Sequence, residues 1–501
     1  MRNAYVAGLF VLGSVALQPA ALQPAFESIQ PDLFSAGGSL VNAAADYDGD
    51  GDVDLFVGFN GTANRLYRND RGSFTDVAPA VGLADARPTR AAAWGDFDGD
   101  GDADLLVGFA PLGAAAGAGA APGTASVLRL YRNDRARFVD VTAESGIVVA
   151  AGAVRQPAWV DADADGDLDL FVGFRDRADV FFRSAAGRFT DVAAELGLAD
   201  PRKTVGAVWF DYDEDGDLDL YAAHMDGDAN ALYRNDKGRF TDVADAAGLA
   251  WGGRAPRDPA NGTVRPCAAD VDGDGRFDLF MANYGPNGLF LNRGGGRFED
   301  VSAQWGVAVD SRYDTCAFGD VDNDGRVDLY VNGTVTGGKS YRDYLLRNTG
   351  TRFEDVTPDN LKSLEADHGA LWAGVDGDGD EDLALSGTQP SGMHLLLRNL
   401  LASADSTRSL HVRLVNGRGR AIHAGAEVRV YAAGTRRLLG ARLVDSGSGY
   451  DAQSDVPVHF GVAGEPRVDI EVTVPAAGRR PVTRARGVDV RVPRLVVIKA
   501  G

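Results

Sequence analysis

Asp46, Asp48, Asp50, Asp52 and Asp54 put five carboxylates into nine residues, with Gly49 and Gly51 between them. Such a run repels itself unless a cation sits among the side chains. Oxygen donors at positions 1, 3, 5 and 9, around a turn-forming glycine at 6, suit a hard ion that takes about six to eight oxygens, and calcium is the natural guest. The pattern returns in register at Asp96, Asp98, Asp100, Asp102 and Asp104, and at Asp161, Asp163, Asp165, Asp167 and Asp169. It returns again at Asp211, Asp213, Asp215, Asp217 and Asp219, then at Asp270, Asp272, Asp274, Arg276 and Asp278. The sixth copy is Asp320, Asp322, Asp324, Arg326 and Asp328; the seventh has Gly374 in first place, followed by Asp376, Asp378, Asp380 and Asp382. One copy would read as a solvated acidic turn. Seven aligned copies read as seven metal loops, the last expected to bind most weakly.

The flanks indicate what positions these loops. Apolar segments precede them, ending near Trp94, Trp159, Trp209, Phe318 or Trp372, and β-prone runs such as Leu55-Phe56-Val57-Gly58 follow. Each loop is therefore expected to join two strands. An EF-hand would need flanking helices and a glutamate at position 12, where the first copy has Val57. Further along come Leu66-Tyr67-Arg68-Asn69 and Gly72-Ser73-Phe74-Thr75-Asp76-Val77, echoed by Leu232-Tyr233-Arg234-Asn235 and Phe240-Thr241-Asp242-Val243. These predict two more strands, then a helical turn such as Ala244 to Leu249. Four strands per repeat, at loop spacings of 50, 65, 50, 59, 50 and 54 residues, predict a propeller, a fold that leaves few exposed edges.

The seventh repeat has a third strand, Leu395 to Asn399, but no fourth; Ala25-Phe26-Glu27-Ser28-Ile29 at the other end of the chain supplies it. The expected fold is all-β: a seven-bladed β-propeller over residues 17–400, closed by the strand near 25–29, and a C-terminal β-sandwich-like domain over 401–501. Alternating runs such as Leu410 to Leu414 and Glu427 to Tyr431 predict an antiparallel sheet there. The Gly/Ala-rich stretch Pro111 to Ser126 accounts for the 65-residue spacing as a surface insertion.

The formal charge is −22, from 72 acidic and 50 basic residues. Much of it lies in the loops, where seven divalent ions would cancel more than half. This balance argues against nucleic acid as a partner. Arg2, the apolar run Tyr5 to Ala16 and the small-residue site Ser14-Val15-Ala16 predict an export signal over 1–16 and a secreted or periplasmic protein, with no membrane span. Calcium is abundant in such compartments. The two cysteines lie three and four residues before their loops, Cys267 before Asp270 and Cys316 before Asp320. Read as neighbouring strands, they point to opposite faces, so two buried thiols are expected rather than a disulfide.

Residues 26–400 resemble the FG-GAP/VCBS repeats of integrin α-subunit propellers, in which the D-x-D-x-D-G-x-x-D loop holds calcium. The tail resembles the ASPIC/UnbV domain through Ser446-Gly447-Ser448-Gly449-Tyr450-Asp451-Ala452-Gln453 and Val458-His459-Phe460-Gly461. The pairing resembles the cartilage acidic protein 1 family. It departs where that family has a Trp-Pro-x-Gly turn, with Val474-Pro475-Ala476-Ala477-Gly478 instead. The resemblance implies side-chain oxygens from loop positions 1, 3, 5 and 9, and a backbone carbonyl from position 7, which tolerates Arg276 and Arg326.

In such propellers the loops share one face. Upstream of them, toward the other face, stand Arg90, Arg155, Lys203, Arg265 and Arg312, with Asp314 and His368. The basic residues are expected to converge at the channel mouth and bind an anionic glycan or a partner's carboxylate. Asp314 and His368 are the acid–base candidates, should the mouth instead act as a lyase or cyclase on an anionic substrate. The favoured expectation is an exported calcium-binding module for extracellular adhesion or recognition of a protein or glycan.

Overall fold

A computed structural model describes residues 24–110, 126–336, 338–362, 364, 367–388, 394–402, 408–416, 424–447, 449–462, 464–491 and 495–500. The predicted export segment and nearly all of the Gly/Ala-rich insertion lie outside these residues. Among the described residues, strand pairing gives seven four-stranded antiparallel units. The first consists of Ser39–Ala45, Asp54–Phe59, Arg65–Asp70 and Ser73–Asp76, paired in that order. First strands of the later units are Thr89–Gly95, Val154–Val160, Thr204–Phe210, Gly262–Ala269, Asp310–Gly319 and Ala370–Ala373. Successive first strands lie against one another, and the seventh lies against the first, so the units form a closed ring. The fold is an all-β propeller.

Phe26–Ser28 completes the seventh unit as expected, pairing antiparallel with Leu395–Asn399 in the register Phe26↔Asn399 and Ser28↔Leu397. One-turn helices follow the fourth strand of the first four units, as at Ala78–Val81 and Ala244–Ala247. The Trp residues ending several first strands reach across to the preceding unit. Trp94 Nε1 donates to the Ala43 carbonyl at 3.2 Å, Trp159 Nε1 to Ala93 at 3.3 Å and Trp372 Nε1 to Ala317 at 3.2 Å. Each ring thus buries a large apolar surface and satisfies its one polar atom.

Cys267 and Cys316 form a disulfide, which corrects the expectation of two thiols. The face argument assumed two strands of one pleated sheet, where a one-residue offset sends side chains to opposite faces. Here the cysteines sit on first strands of adjacent units, which pack face to face. Opposite faces of equivalent strands then look at each other.

The tail forms two sheets around one apolar core that includes Leu410, Val428, Phe460 and Ile470. One sheet orders Leu438–Leu443, Glu427–Ala432, Arg467–Thr473 and Val482–Asp489, all antiparallel. The other pairs Ser409–Val415 antiparallel with Val458–Gly461 but parallel with Leu495–Lys499, so the tail is not purely antiparallel as predicted. Loop residues 445–447 and 449–455 lie between these sheets in the chain and enter the ring. Within it Ala452–Gln453 pairs parallel with Ala92–Ala93 of the second unit's first strand. Every residue of Ser39–Ala45, Val154–Val160 and Thr204–Phe210 is buried, and the loop bonds to each of these strands, at Ala44, Trp159 and Trp209. Among the described residues, no helix is long and apolar enough to cross a membrane.

Candidate cation loops and channel mouth

The loops owe their shape to their own carboxylates. In the first, Asp46 Oδ1 accepts from Gly49 N–H at 2.9 Å and Oδ2 from Gly51 N–H at 3.1 Å, while Asp50 Oδ1 accepts from Asp52 N–H at 2.9 Å. Gly51 holds a φ of 97°, the left-handed turn that position 6 requires. Position 9 is buried and pins the loop to the sheet. Asp54 Oδ2 accepts from Tyr47 N–H at 3.0 Å and Oδ1 from Asn69 N–H at 2.8 Å. The same bonds recur at Asp104, Asp219, Asp278, Asp328 and Asp382.

The arrangement fits a divalent cation. Carboxylate oxygens converge within 4.8 Å of one another in Asp46/Asp48/Asp50, Asp96/Asp98/Asp104, Asp161/Asp163/Asp165, Asp211/Asp213/Asp219 and Asp270/Asp272/Asp278. Asp48 Oδ1, Asp211 Oδ1 and Asp322 Oδ1 are buried without a hydrogen-bond donor, which suits carboxylate oxygens that face a cation. Burial, reinforced by neighbouring carboxylates, lifts Asp161 to about 7 and Asp270 to about 6, and burial lifts Asp54 to about 8. A bound cation reverses that pressure and keeps the groups ionised.

The recurring asparagine of the third strand received no role in the sequence reading, yet it joins the units. Asn133 Nδ2 donates to the carbonyl of Tyr47, position 2 of the preceding unit's loop, at 2.7 Å. Asn292 reaches Tyr212 at 2.9 Å, Asn348 reaches Val271 at 2.9 Å and Asn399 reaches Val321 at 2.9 Å. The third unit carries Ser184 at this place, and its shorter side chain makes no such bond. The signal was the recurrence of Asn itself.

At the opposite mouth the expected basic residues separate into two groups. A register shift follows residue 89 in the second unit, residue 154 in the third and residue 313 in the sixth, and these bulges turn Arg90, Arg155 and Asp314 toward the channel. Arg265 joins them. Arg155, Arg265 and Asp314 are buried, Arg265 completely, while the Arg90 side chain stays 19% exposed. Their anionic partner is the chain's own Asp451, at the tip of the tail loop: Asp451 lies 3.5 Å from Arg90 Nε and 3.5 Å from Arg265 Nη2. Burial raises the Asp451 carboxyl, and Arg155, Arg90 and Arg265 oppose that rise. Burial also draws Arg155 down to about 10, aided by Arg90. Arg90 Nη2 donates to the Tyr450 hydroxyl at 2.6 Å. Lys203 and Arg312 stay at the rim. Lys203 pairs with Asp226 at 3.2 Å, and Arg312 lies over the Tyr284 ring at 4.8 Å.

The acid–base candidates do meet, with His368 Nδ1 3.1 Å from Asp314 Oδ2. Burial works to raise Asp314, but the hydrogen bond and charge of His368 together with hydrogen bonds from Tyr284 and Thr334 outweigh it, leaving the carboxyl below its usual range. Tyr450 packs on the imidazole with ring centroids 4.7 Å apart, so the tail loop closes over the pair.

The tail motifs are explained by this docking. Ser446 Oγ donates to the Trp209 carbonyl at 2.5 Å, and Gln453 Oε1 accepts from Trp159 N–H at 2.6 Å. A Cβ on Gly447 would stand 2.6 Å from the Ala207 carbonyl oxygen, and one on Gly461 would stand 2.4 Å from Asp320 Oδ2, so neither position admits a side chain. The tail sheets meanwhile cover the cation-loop face. Gly478 N–H donates to Asp217 Oδ1 at 2.7 Å, Arg429 Nη2 to the Gly275 carbonyl at 2.6 Å and Gly461 N–H to Asp320 Oδ2 at 2.9 Å. Gly478 belongs to the turn that replaces Trp-Pro-x-Gly, and Arg480 beside it pairs with Asp211.

Repeated carboxylate loops on the four-stranded units of a closed ring define a class, and the family comparison agrees: an FG-GAP-like repeat matches residues 46–107, 161–222, 211–280 and 270–331. The chain carries FG-GAP-like repeats. It is similar to human cartilage acidic protein 1, with 25% identity over 295 residues, covering 57% of this chain and 43% of that one. It is similarly related to the Xenopus tropicalis protein of that name, at 26% over 298 residues, 57% of this chain and 44% of the other. The match thus spans less than half the length of these relatives. Among solved structures, the BBS1N–ARL6DN complex soaked with lead aligns over 75% of this chain and 97% of its own at 11% identity, with a TM-score of 0.45. An Agrocybe aegerita lectin described as recognising non-reducing terminal N-acetylglucosamine aligns over 76% and 94% at 17% identity, with a TM-score of 0.39.

Proposed function

We propose that the protein is an exported, calcium-stabilised binding module that recognises a protein or anionic glycan outside the cell. The observation that carries this reading is the convergence of carboxylate oxygens in loop after loop, with buried oxygens that lack donors. Calcium in the six intact loops is structural: it ties two strands of each unit together, and its binding free energy adds to folding. The disulfide between Cys267 and Cys316 suits an oxidising compartment.

Recognition falls to the basic mouth. Arg90, Arg155 and Arg265 are engaged by the tail loop, so an anionic ligand approaching from solvent meets Lys203 and Arg312 first. A lyase or cyclase built on His368 and Asp314 is the less favoured reading, because Tyr450 covers the imidazole.

Binding to an array of acidic glycans and extracellular matrix proteins, with and without EDTA, tests the module. Lys203→Glu with Arg312→Glu should abolish binding without changing the melting temperature; unchanged binding would move recognition to another surface. EDTA should lower the melting temperature of the unmodified chain. A melting curve indifferent to EDTA would remove calcium from the account.

A further inference from the structure

The seventh loop departs from its repeat twice, and both departures face the tail. Gly374 stands where the other loops carry a first aspartate. Glu381 stands at position 8, where the others carry Val53, Ala103, Leu168, Leu218, Phe277 or Val327. A Cβ built on Gly374 would lie 3.3 Å from His411 Nε2, so this tail imidazole stands in the side-chain space of the missing ligand. Glu381 Oε2 pairs with His459 Nδ1 at 3.3 Å. His459 is the register partner of His411 across the tail sheet, their rings 4.9 Å apart.

Asp380, at position 7, supplies an independent sign. It is 1% exposed, and neither carboxylate oxygen has a hydrogen-bond donor. Its counterparts are occupied: Asp52 accepts from Arg71 N–H at 3.0 Å, Asp102 from Arg135 N–H at 3.1 Å and Asp167 from Ala186 N–H at 3.2 Å. Asp380, Glu381 and His411 line one cavity together with Gly374, Gly377 and Gly379. A buried carboxylate with two idle oxygens is costly unless a cation meets it.

We propose that the seventh loop and the tail sheet together build a transition-metal site, with His411, Asp380 and Glu381 as ligands and His459 as the positioning residue for Glu381. The other six loops offer only oxygen, which suits calcium. An imidazole nitrogen in the donor set shifts the preference to zinc-class divalent ions. Because the ligands come from both the ring and the tail, the metal clamps one to the other.

Cobalt(II), a coloured stand-in for zinc, tests this on the full chain held in excess calcium. One equivalent should remain bound, with visible absorption from nitrogen and oxygen ligands. His411→Asn should weaken that binding about tenfold or more, while calcium stoichiometry stays the same. Asp380→Asn gives a second reading should the first variant misfold, and circular dichroism checks both folds. The double variant Gly374→Asp/His411→Ala should exchange the cobalt site for one more calcium. Complete displacement of cobalt by calcium, or binding unchanged in both single variants, overturns the proposal. Either result leaves the calcium reading of the other six loops intact, since the inference asks nothing of them.

Discussion

Asn69 Nδ2 donates to the carbonyl of Val375 at 2.7 Å, a bond that spans 306 residues and joins the first unit to the seventh. The same amide also reaches Val53 at 3.0 Å, and Asn69 Oδ1 accepts from Gly72 N–H at 2.7 Å, so one side chain fastens its own loop, its own turn and its neighbour. The units use one device internally and at the seam.

Asn69→Ala removes all three bonds and leaves the Val375 carbonyl buried without a donor. The expected loss is about 1–3 kcal/mol, read as a lower urea midpoint. Because this bond lies at the seam, the variant should also speed proteolysis near Phe26–Ser28, whereas Asn235→Ala, in the middle of the ring, should not.

Cys267→Ala with Cys316→Ala should destabilise the protein by about 2–4 kcal/mol. The bridge closes a 49-residue separation between the fifth and sixth units. Reductant should lower the denaturation midpoint of the unmodified chain and leave that of the double variant unchanged.

Asp451→Asn withdraws the carboxylate that lies 3.5 Å from both Arg90 and Arg265. An uncompensated buried charge costs about 3–5 kcal/mol, and the tail loop should loosen, seen as faster amide exchange at Ala92–Ala93. In a double-mutant cycle with Arg265→Gln, the combined loss should fall short of the sum of the single losses.

Asp314 provides the pH dependence. Its folded pKa lies below the ordinary carboxylate value, so its contribution is fully present above the unfolded pKa and is lost as pH falls through the folded one. His368→Phe removes the largest of the contacts that lower it. Acid unfolding, followed by near-ultraviolet circular dichroism, should then begin at a higher pH than in the unmodified chain.

Repetition made the ring legible in the sequence. Asp46 to Leu55 and its six echoes marked the units, and the missing fourth strand of the seventh pointed to Phe26, which pairs with Asn399. The arginines were legible as a group because each lies five to eight residues before its loop, toward the opposite face of the ring. Their partner was not. Asp451 meets Arg90 across about 360 positions, and no local period registers a loop that enters a channel. The cysteine reading failed for a related reason: parity within a sheet says nothing about strands in stacked sheets.

The tail loop also comes after the whole ring in chain order. Every strand of the ring, including the closing pair Phe26–Ser28 and Leu395–Asn399, precedes residues 445–455 in the chain. On the ribosome the propeller is therefore complete in sequence while its channel is still open to water and its mouth arginines still lack Asp451. The loop is a bight with both ends in the tail sheets, so it can enter the ring without a chain terminus passing through it. A chain cut before residue 445 would lack Asp451 and would present Arg90 and Arg265 without the carboxylate that meets them.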